Sequence, residues 1–168
     1  MPDNLFNVAE IIDMGVAKEK KRRDFYALVA SKFKSGNMRD LFTRLRDWED
    51  EHVHKFTEIR NSVEESEVIE SYQGEFEAYI KALVDDMQYK QIAPANFSRN
   101  VKSPRAAIDY GMRFERDSIL FFNELMRHMN PSHQEKIIEL INEEKAHLIY
   151  LAKLRADYEK RIFRHEDP

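Results

Sequence analysis

The sequence predicts an all-α protein, a bundle of four long helices built as two antiparallel hairpins, and three observations lead there. Glycine (4) and proline (5) are scarce in 168 residues while Glu, Lys, Arg, Leu and Ala abound, a composition that suits long helices better than short strands joined by tight turns. Apolar residues recur at steps of three and four through four long segments. The first two of these segments also resemble the last two, as if one helical hairpin were used twice. A chain of this length can bury a sizeable core without covalent staples, so a single domain over 1–168 is expected.

The first stripe, Leu5, Val8, Ile12, Val16, Tyr26, Val29 and Phe33, predicts a helix over about 4–35 that Gly36 ends. Asn37 then reads as the N-cap of a second helix over 37–64, with Met38, Leu41, Leu45, Phe56, Ile59 and Val63 on its apolar face. Ser103 and Pro104, a cap followed by proline at the first helical position, open a third helix over 104–129 carrying Ile108, Met112, Ile119, Phe122, Met126 and Met129. Pro131 stops it, and Ser132 with Glu135 makes a capping box for a fourth helix over 132–163, with Ile137, Leu140, Ile141, Leu148, Leu151 and Leu154. Between the second and third helices lies a long crossover. Phe76, Tyr79, Ile80, Leu83, Val84 and Met87 predict a short extra helix over 72–89 inside it, and Glu64 to Glu70 and Ala93 to Asn96 read as its flexible ends. Two short links and one long one describe a known bundle connectivity.

Charge and composition exclude several functions. A net charge of -4, from 27 basic and 31 acidic residues interspersed, offers no broad basic face, so neither nucleic acid nor membrane is an expected partner. No apolar run approaches the roughly 20 residues that span a bilayer, and the start MPDNLFNVAE lacks a basic segment followed by an apolar one, so a cytoplasmic location is expected. With no cysteine, any metal must be bound by oxygen and imidazole.

Each stripe has a glutamate where an apolar residue should be: Glu19, Glu49, Glu115 and Glu144. Helical spacing turns all four inward, where each unpaired carboxylate costs several kcal/mol and four would repel one another, so something cationic must offset them. Glu49 and Glu144 each have a histidine three residues on, His52 and His147, on the same helix face, which is metal-ligand geometry. One Glu-x-x-His is a weak signal. The internal repeat is the stronger one: Ile12, Asp13, Gly15, Glu19 and Phe25 recur 96 positions later as Ile108, Asp109, Gly111, Glu115 and Phe121. Leu45, Glu49, His52 and Phe56 recur, offset by 95, as Leu140, Glu144, His147 and Leu151. The repeat also chooses between overlapping pairs, because the second-half counterparts of Glu51 and His54 are Ala146 and Ile149; Glu51 and His54 are therefore assigned to the flank.

These positions resemble the ferritin-like di-iron carboxylate proteins, in which two helices each give a Glu and two each give a Glu-x-x-His. The rubrerythrin branch looks closest, with a glutamate seven residues before an aromatic (Glu19 to Tyr26, Glu115 to Phe122) and a leucine ahead of each Glu-x-x-His. Two departures stand out. Rubrerythrins proper have a further glutamate one turn before the third-helix ligand, where this chain has Met112, and a cysteine-rich rubredoxin-like domain, which a chain without cysteine cannot supply. The resemblance implies that Glu49 and Glu144 bridge two metals, that Glu19 with His52 completes one and that Glu115 with His147 completes the other.

Four carboxylates and two imidazoles suit two iron ions, with manganese or zinc as alternatives, and four negative charges balance two divalent cations. An oxidoreductase reducing peroxide or dioxygen with Fe(II) oxidation is expected, in the setting of oxidative stress, with an external electron donor and a homodimeric assembly. The alternatives are a ferroxidase that stores iron, a manganese catalase, and a structural bundle with buried ion pairs. Tyr26, two turns from Glu19, reads either as core or as a hydrogen-bond partner of a ligand. Gly15 and Gly111 read either as close helix packing or as space for a small oxidant. Trp48, Phe25, Phe121 and the methionines read as packing, and the run Lys18 to Arg23 as the outer face of the first helix.

Overall fold

Asn7 starts the first helix: its side chain accepts from Glu10 N–H while the Glu10 carboxylate accepts from Asn7 N–H, a reciprocal cap that satisfies two otherwise orphaned donors. In the computed structural model, which describes residues 7–34, 36–63, 78–80, 82 and 93–165, the chain forms α1 (Val8–Lys32), α2 (Gly36–Ser62), α3 (Pro94–Asn100), α4 (Pro104–Arg127) and α5 (Pro131–His165), with no β-strand among the described residues. α1 lies along α2 and α4 along α5, and the two hairpins meet where α1 touches α4 and α2 touches α5. This is the all-α four-helix bundle that the stripes predict, and the ferritin-like fold that the resemblance implies. No helix among the described residues is long and apolar enough to cross a membrane.

The helix ends differ from the sequence reading in physically readable ways. α1 ends at Lys32, and Gly36 opens α2 instead of closing α1, so Asn37 lies inside the helix. Ser103 caps α4 as expected, its hydroxyl accepting from Ala106 N–H. At α5 the cap is Asn130, whose side-chain oxygen accepts from Ser132 N–H at 3.2 Å, while Pro131 takes the first helical position; the cap expected at Ser132 thus lies two residues earlier. The segment 93–96, expected as a loop, leads into α3 because Pro94 at its start has its backbone preset for a helix. The helix expected at 72–89 falls mostly outside the described residues, of which 78–80 and 82 are helical.

Two apolar clusters fill the bundle. One joins Val8, Ile11 and Ile12 of α1 to Phe56 and Ile59 of α2, Phe121, Phe122 and Leu125 of α4, and Ile137 and Leu140 of α5. The other joins Phe25, Tyr26 and Val29 to Leu41, Phe42 and Leu45, to Ile108, Met112 and Phe114, and to Leu151, with Phe97 and Val101 added by α3 and its C-cap. In every long helix the glutamate lies between the stretches that feed these two clusters, so the polar groups form one layer at mid-height with apolar packing above and below.

Candidate metal centre

All six sequence-predicted residues are buried: Glu19, Glu49, Glu115 and Glu144 are 0% exposed, His52 2% and His147 8%. One donor atom from each of Glu49, His52, Glu144 and His147 lies within 4.8 Å of all the others. Glu19 joins them through His52, whose Nδ1 is 3.4 Å from Glu144, 3.6 Å from Glu49 and 3.8 Å from Glu19, distances of charge attraction longer than a good hydrogen bond. The two imidazoles lie 5.3 Å apart, nearly parallel. Glu51 and His54 are exposed, and His54 Nδ1 pairs with the Asp50 carbonyl, so the alternative Glu-x-x-His stands on the flank as the repeat requires.

Four side chains around this cluster were not read as part of it. Arg22 and Lys18 are each 1% exposed, so the run Lys18 to Arg23 is not the outer face of α1; Lys20 and Lys21 are outside, while Arg22 turns in and Lys18 Nζ lies 5.8 Å over the Phe121 ring. Arg22 Nη1 donates to Glu19 Oε1 at 2.6 Å and lies 3.5 Å from Glu144 Oε1. The signal was present, since Arg22 is three residues from Glu19, the spacing that aligns each Glu-x-x-His. Glu143 pairs with His52 Nε2 at 3.0 Å and accepts from Lys55, an outer carboxylate of the kind that orients a ligand imidazole. Trp48 stacks flat on His147, centroids 4.5 Å apart and 5° between planes, and touches Tyr150 edge-on; Tyr150 in turn lines a surface cleft of about 190 Å³.

Tyr26 Oη donates to Glu115 Oε1 at 2.8 Å, the hydrogen-bonding alternative for this residue, although its ring also packs in the core. Both glycines are close-packing positions. A Cβ on Gly15 would meet the Phe121 and Phe56 rings at 3.0 and 3.1 Å, and one on Gly111 would meet Tyr26 Oη at 2.9 Å and Leu151 Cδ1 at 3.1 Å. Gly111→Ala is therefore expected to push Tyr26 off Glu115 and cost about 1–3 kcal/mol in thermal unfolding, whereas Gly36→Ala, with nothing within 4 Å, should show no such loss. Equal behaviour of the two variants would contradict this packing account.

Burial and mutual repulsion divide the four carboxyls in the metal-free protein. Burial, then the charges of Glu144 and Glu19, push Glu49 well above the usual carboxylate range; burial and Glu144 do the same to Glu115. Burial also opposes ionisation of Glu19 and Glu144, but Arg22 and His52 hold Glu19 below its ordinary value, and Glu115, His52 and His147 hold Glu144 well below. Burial disfavours a charged His52, yet Glu144 and Glu143 raise it well above its ordinary value, while the His52 contact holds Glu143 down to about 2. Glu19 and Glu144, which face Arg22 and His52, are thus set apart from Glu49 and Glu115.

A pH prediction follows with a definite sign. Glu49, Glu115 and His52 hold their protons more tightly folded than unfolded, so the fold is least penalised below their unfolded values, 4.5 for the carboxyls and 6.5 for the imidazole, and loses stability as pH rises through the folded ones. Glu19, Glu143 and Glu144 contribute above 4.5 and lose that contribution as pH falls. With chelator present, the melting temperature should peak between these windows and fall toward alkaline pH; a steady rise into alkaline pH would contradict the assignment.

The donors that remain unmatched test whether a metal fits. One oxygen each of Glu19 and Glu115, both oxygens of Glu49 and Glu144, and Nδ1 of both histidines are buried without a hydrogen-bond partner. A buried polar atom left so costs about 1–3 kcal/mol, and this concentration of oxygen and nitrogen lone pairs is a donor set for a hard or borderline cation. The residues present fit a metal site. The family model described as Rubrerythrin matches residues 10–155. No curated protein and no solved structure gives a significant match. The match runs from the first turn of α1 well into α5 and takes in all six inward-facing residues together with Arg22, Trp48 and Glu143: the chain belongs to the rubrerythrin family.

Proposed function

We propose that this protein holds two metal ions, iron before manganese or zinc, and works as an oxidoreductase that reduces hydrogen peroxide or dioxygen as Fe(II) is oxidised. The carrying observation is the set of buried, unpartnered donor atoms from two matching hairpins. Arg22 on its own favours a structural bundle, since a guanidinium can offset buried carboxylates without metal. It reaches Glu19 and Glu144 but leaves Glu49 and both Nδ1 atoms unmatched, and that remainder favours metal. In this reading Glu19 with His52 would hold one ion and Glu115 with His147 the other, with Glu49 and Glu144 available to both.

When bound, a ferrous pair supplies the two electrons that convert peroxide to water. The chain supplies the rest. Glu143 fixes the His52 ring through Nε2 so that Nδ1 faces the carboxylates, Trp48 covers the His147 ring, and Tyr26 orients Glu115 through Oε1. The apolar clusters on either side keep water from the layer. Glu49, Glu115 and His52 give up protons as metal enters, so affinity should strengthen with rising pH. Glu143→Ala is expected to weaken metal affinity by about 10–100-fold, read by competition with a chelating dye; unchanged affinity would remove Glu143 from this role. The electrons for repeated turnover would come from an external donor, and a cytoplasmic homodimer is the proposed working form.

Anaerobic loading with Fe(II) followed by peroxide tests the reading. The expected result is one peroxide consumed for each ferrous pair, with ferric absorbance rising in the near ultraviolet. Oxygen released from peroxide without reductant would mean catalase chemistry, a large closed assembly would mean storage, and failure to take up metal would return the cluster to a structural role.

A further inference from the structure

The two hairpins match at the six inward-facing positions but differ at three positions beside them. At the offset of 96 that carries Glu19 to Glu115, Arg22 falls on Ser118 and Tyr26 on Phe122; at the offset of 95 that carries Glu49 to Glu144, Trp48 falls on Glu143. The two ends of the site therefore have different neighbours. Glu19 Oε1 is held at 2.6 Å by a guanidinium that also reaches toward Glu144 at 3.5 Å. Glu115 Oε1 is held at 2.8 Å by a neutral phenol, and its Oε2 has no hydrogen-bond partner. Ser118, which stands where the second hairpin would need its own arginine, puts only a hydroxyl near Glu19, at 3.5 Å.

We propose that Arg22 is a resident cation that competes with metal for the Glu19 end of the site, so that the two metal positions fill in order: the Glu115–His147 position first, the Glu19–His52 position second and more weakly. The proposal rests on the six-residue reading above and deepens it.

A metal entering a protonated site displaces protons, which leave to solvent. A guanidinium cannot be deprotonated in a protein, so Arg22 must give up its place between Glu19 and Glu144 or share those carboxylates with a second cation. At 1% exposure the repulsion between that cation and Arg22 has little solvent to screen it. Tyr26 imposes no such cost, because a neutral hydroxyl can keep one oxygen of Glu115 while the other has no hydrogen-bond partner to give up. Charge agrees. With all four glutamates ionised, one divalent ion and Arg22 leave the layer one negative charge from balance, and a second divalent ion carries it one positive charge beyond. The neutral filled site expected from four glutamates and two ions holds only where Arg22 is absent.

Calorimetric titration of Mn(II) into the metal-free protein, with electron paramagnetic resonance at each equivalent, tests the proposal. The wild type should show two steps, the second at least tenfold weaker, which is about 1.4 kcal/mol, with isolated Mn(II) signals at one equivalent and coupled pairs after the second. In Arg22→Gln the second step should tighten at least tenfold and pairs should form from the start, while Arg22→Lys, which keeps the charge, should preserve the separation. Two equal steps in the wild type, or a separation that survives in Arg22→Gln, overturn the proposal. The wild-type titration decides by itself if Arg22→Gln does not fold. Two equal steps would leave the six-residue site standing, whereas no Mn(II) bound by any form would remove both.

Discussion

Replacing Glu49 with leucine is expected to make the metal-free protein more stable and to abolish its metal binding. Glu49 is fully buried with neither oxygen hydrogen-bonded, and burial together with Glu144 and Glu19 disfavours its charged form. Removing such a group relieves about 1–3 kcal/mol and adds apolar contact between the two core clusters. Metal affinity should fall by more than the roughly 100-fold that loss of an outer partner costs, because a donor itself is gone. Thermal melts with chelator and with Mn(II) check both signs: the variant should melt above the wild type in chelator and gain nothing from metal. A variant less stable in chelator would mean that Glu49 contributes to the metal-free fold, the opposite of a strained site kept for function.

Arg22→Leu should move stability the other way. It strips the counter-charge from Glu19 and weakens the setting of Glu144, both held below their ordinary values in the metal-free layer. Breaking a buried pair from one side costs about 3–5 kcal/mol, while replacing both partners with apolar residues is often neutral. Denaturant unfolding of metal-free Arg22→Leu should show that loss, and the double variant Arg22→Leu with Glu19→Leu should recover most of it. If the single variant unfolds with the wild type, Arg22 carries no charge-balancing role.

The ligand-type positions were legible because burial contradicts their chemistry: a glutamate in an apolar stripe demands an explanation, and the same break recurring in both hairpins supplies one. Arg22 was less legible for a matching reason. Basic residues on helices are ordinarily solvated, so the run Lys18 to Arg23 reads as surface, and the decisive clue was its three-residue spacing from Glu19. Trp48 and Glu143 occupy corresponding positions in the repeat, each just before a Glu-x-x-His, and each touches the histidine of the other hairpin. That crossing is a tertiary fact which no spacing along one helix contains. α3, at seven residues, is too short to show a stripe, and the helix ends moved because Asn130 with Pro131 offered a better start than Ser132.

The central claim is that Glu19, Glu49, His52, Glu115, Glu144 and His147 surround a pair of cations. Anomalous diffraction from crystals grown with saturating Fe(II) under anaerobic conditions measures this most directly. Two peaks between α1, α2, α4 and α5, each within coordination distance of both Glu49 and Glu144, are predicted. Peaks confined to the flank at Glu51 and His54, or none inside the bundle, would contradict it.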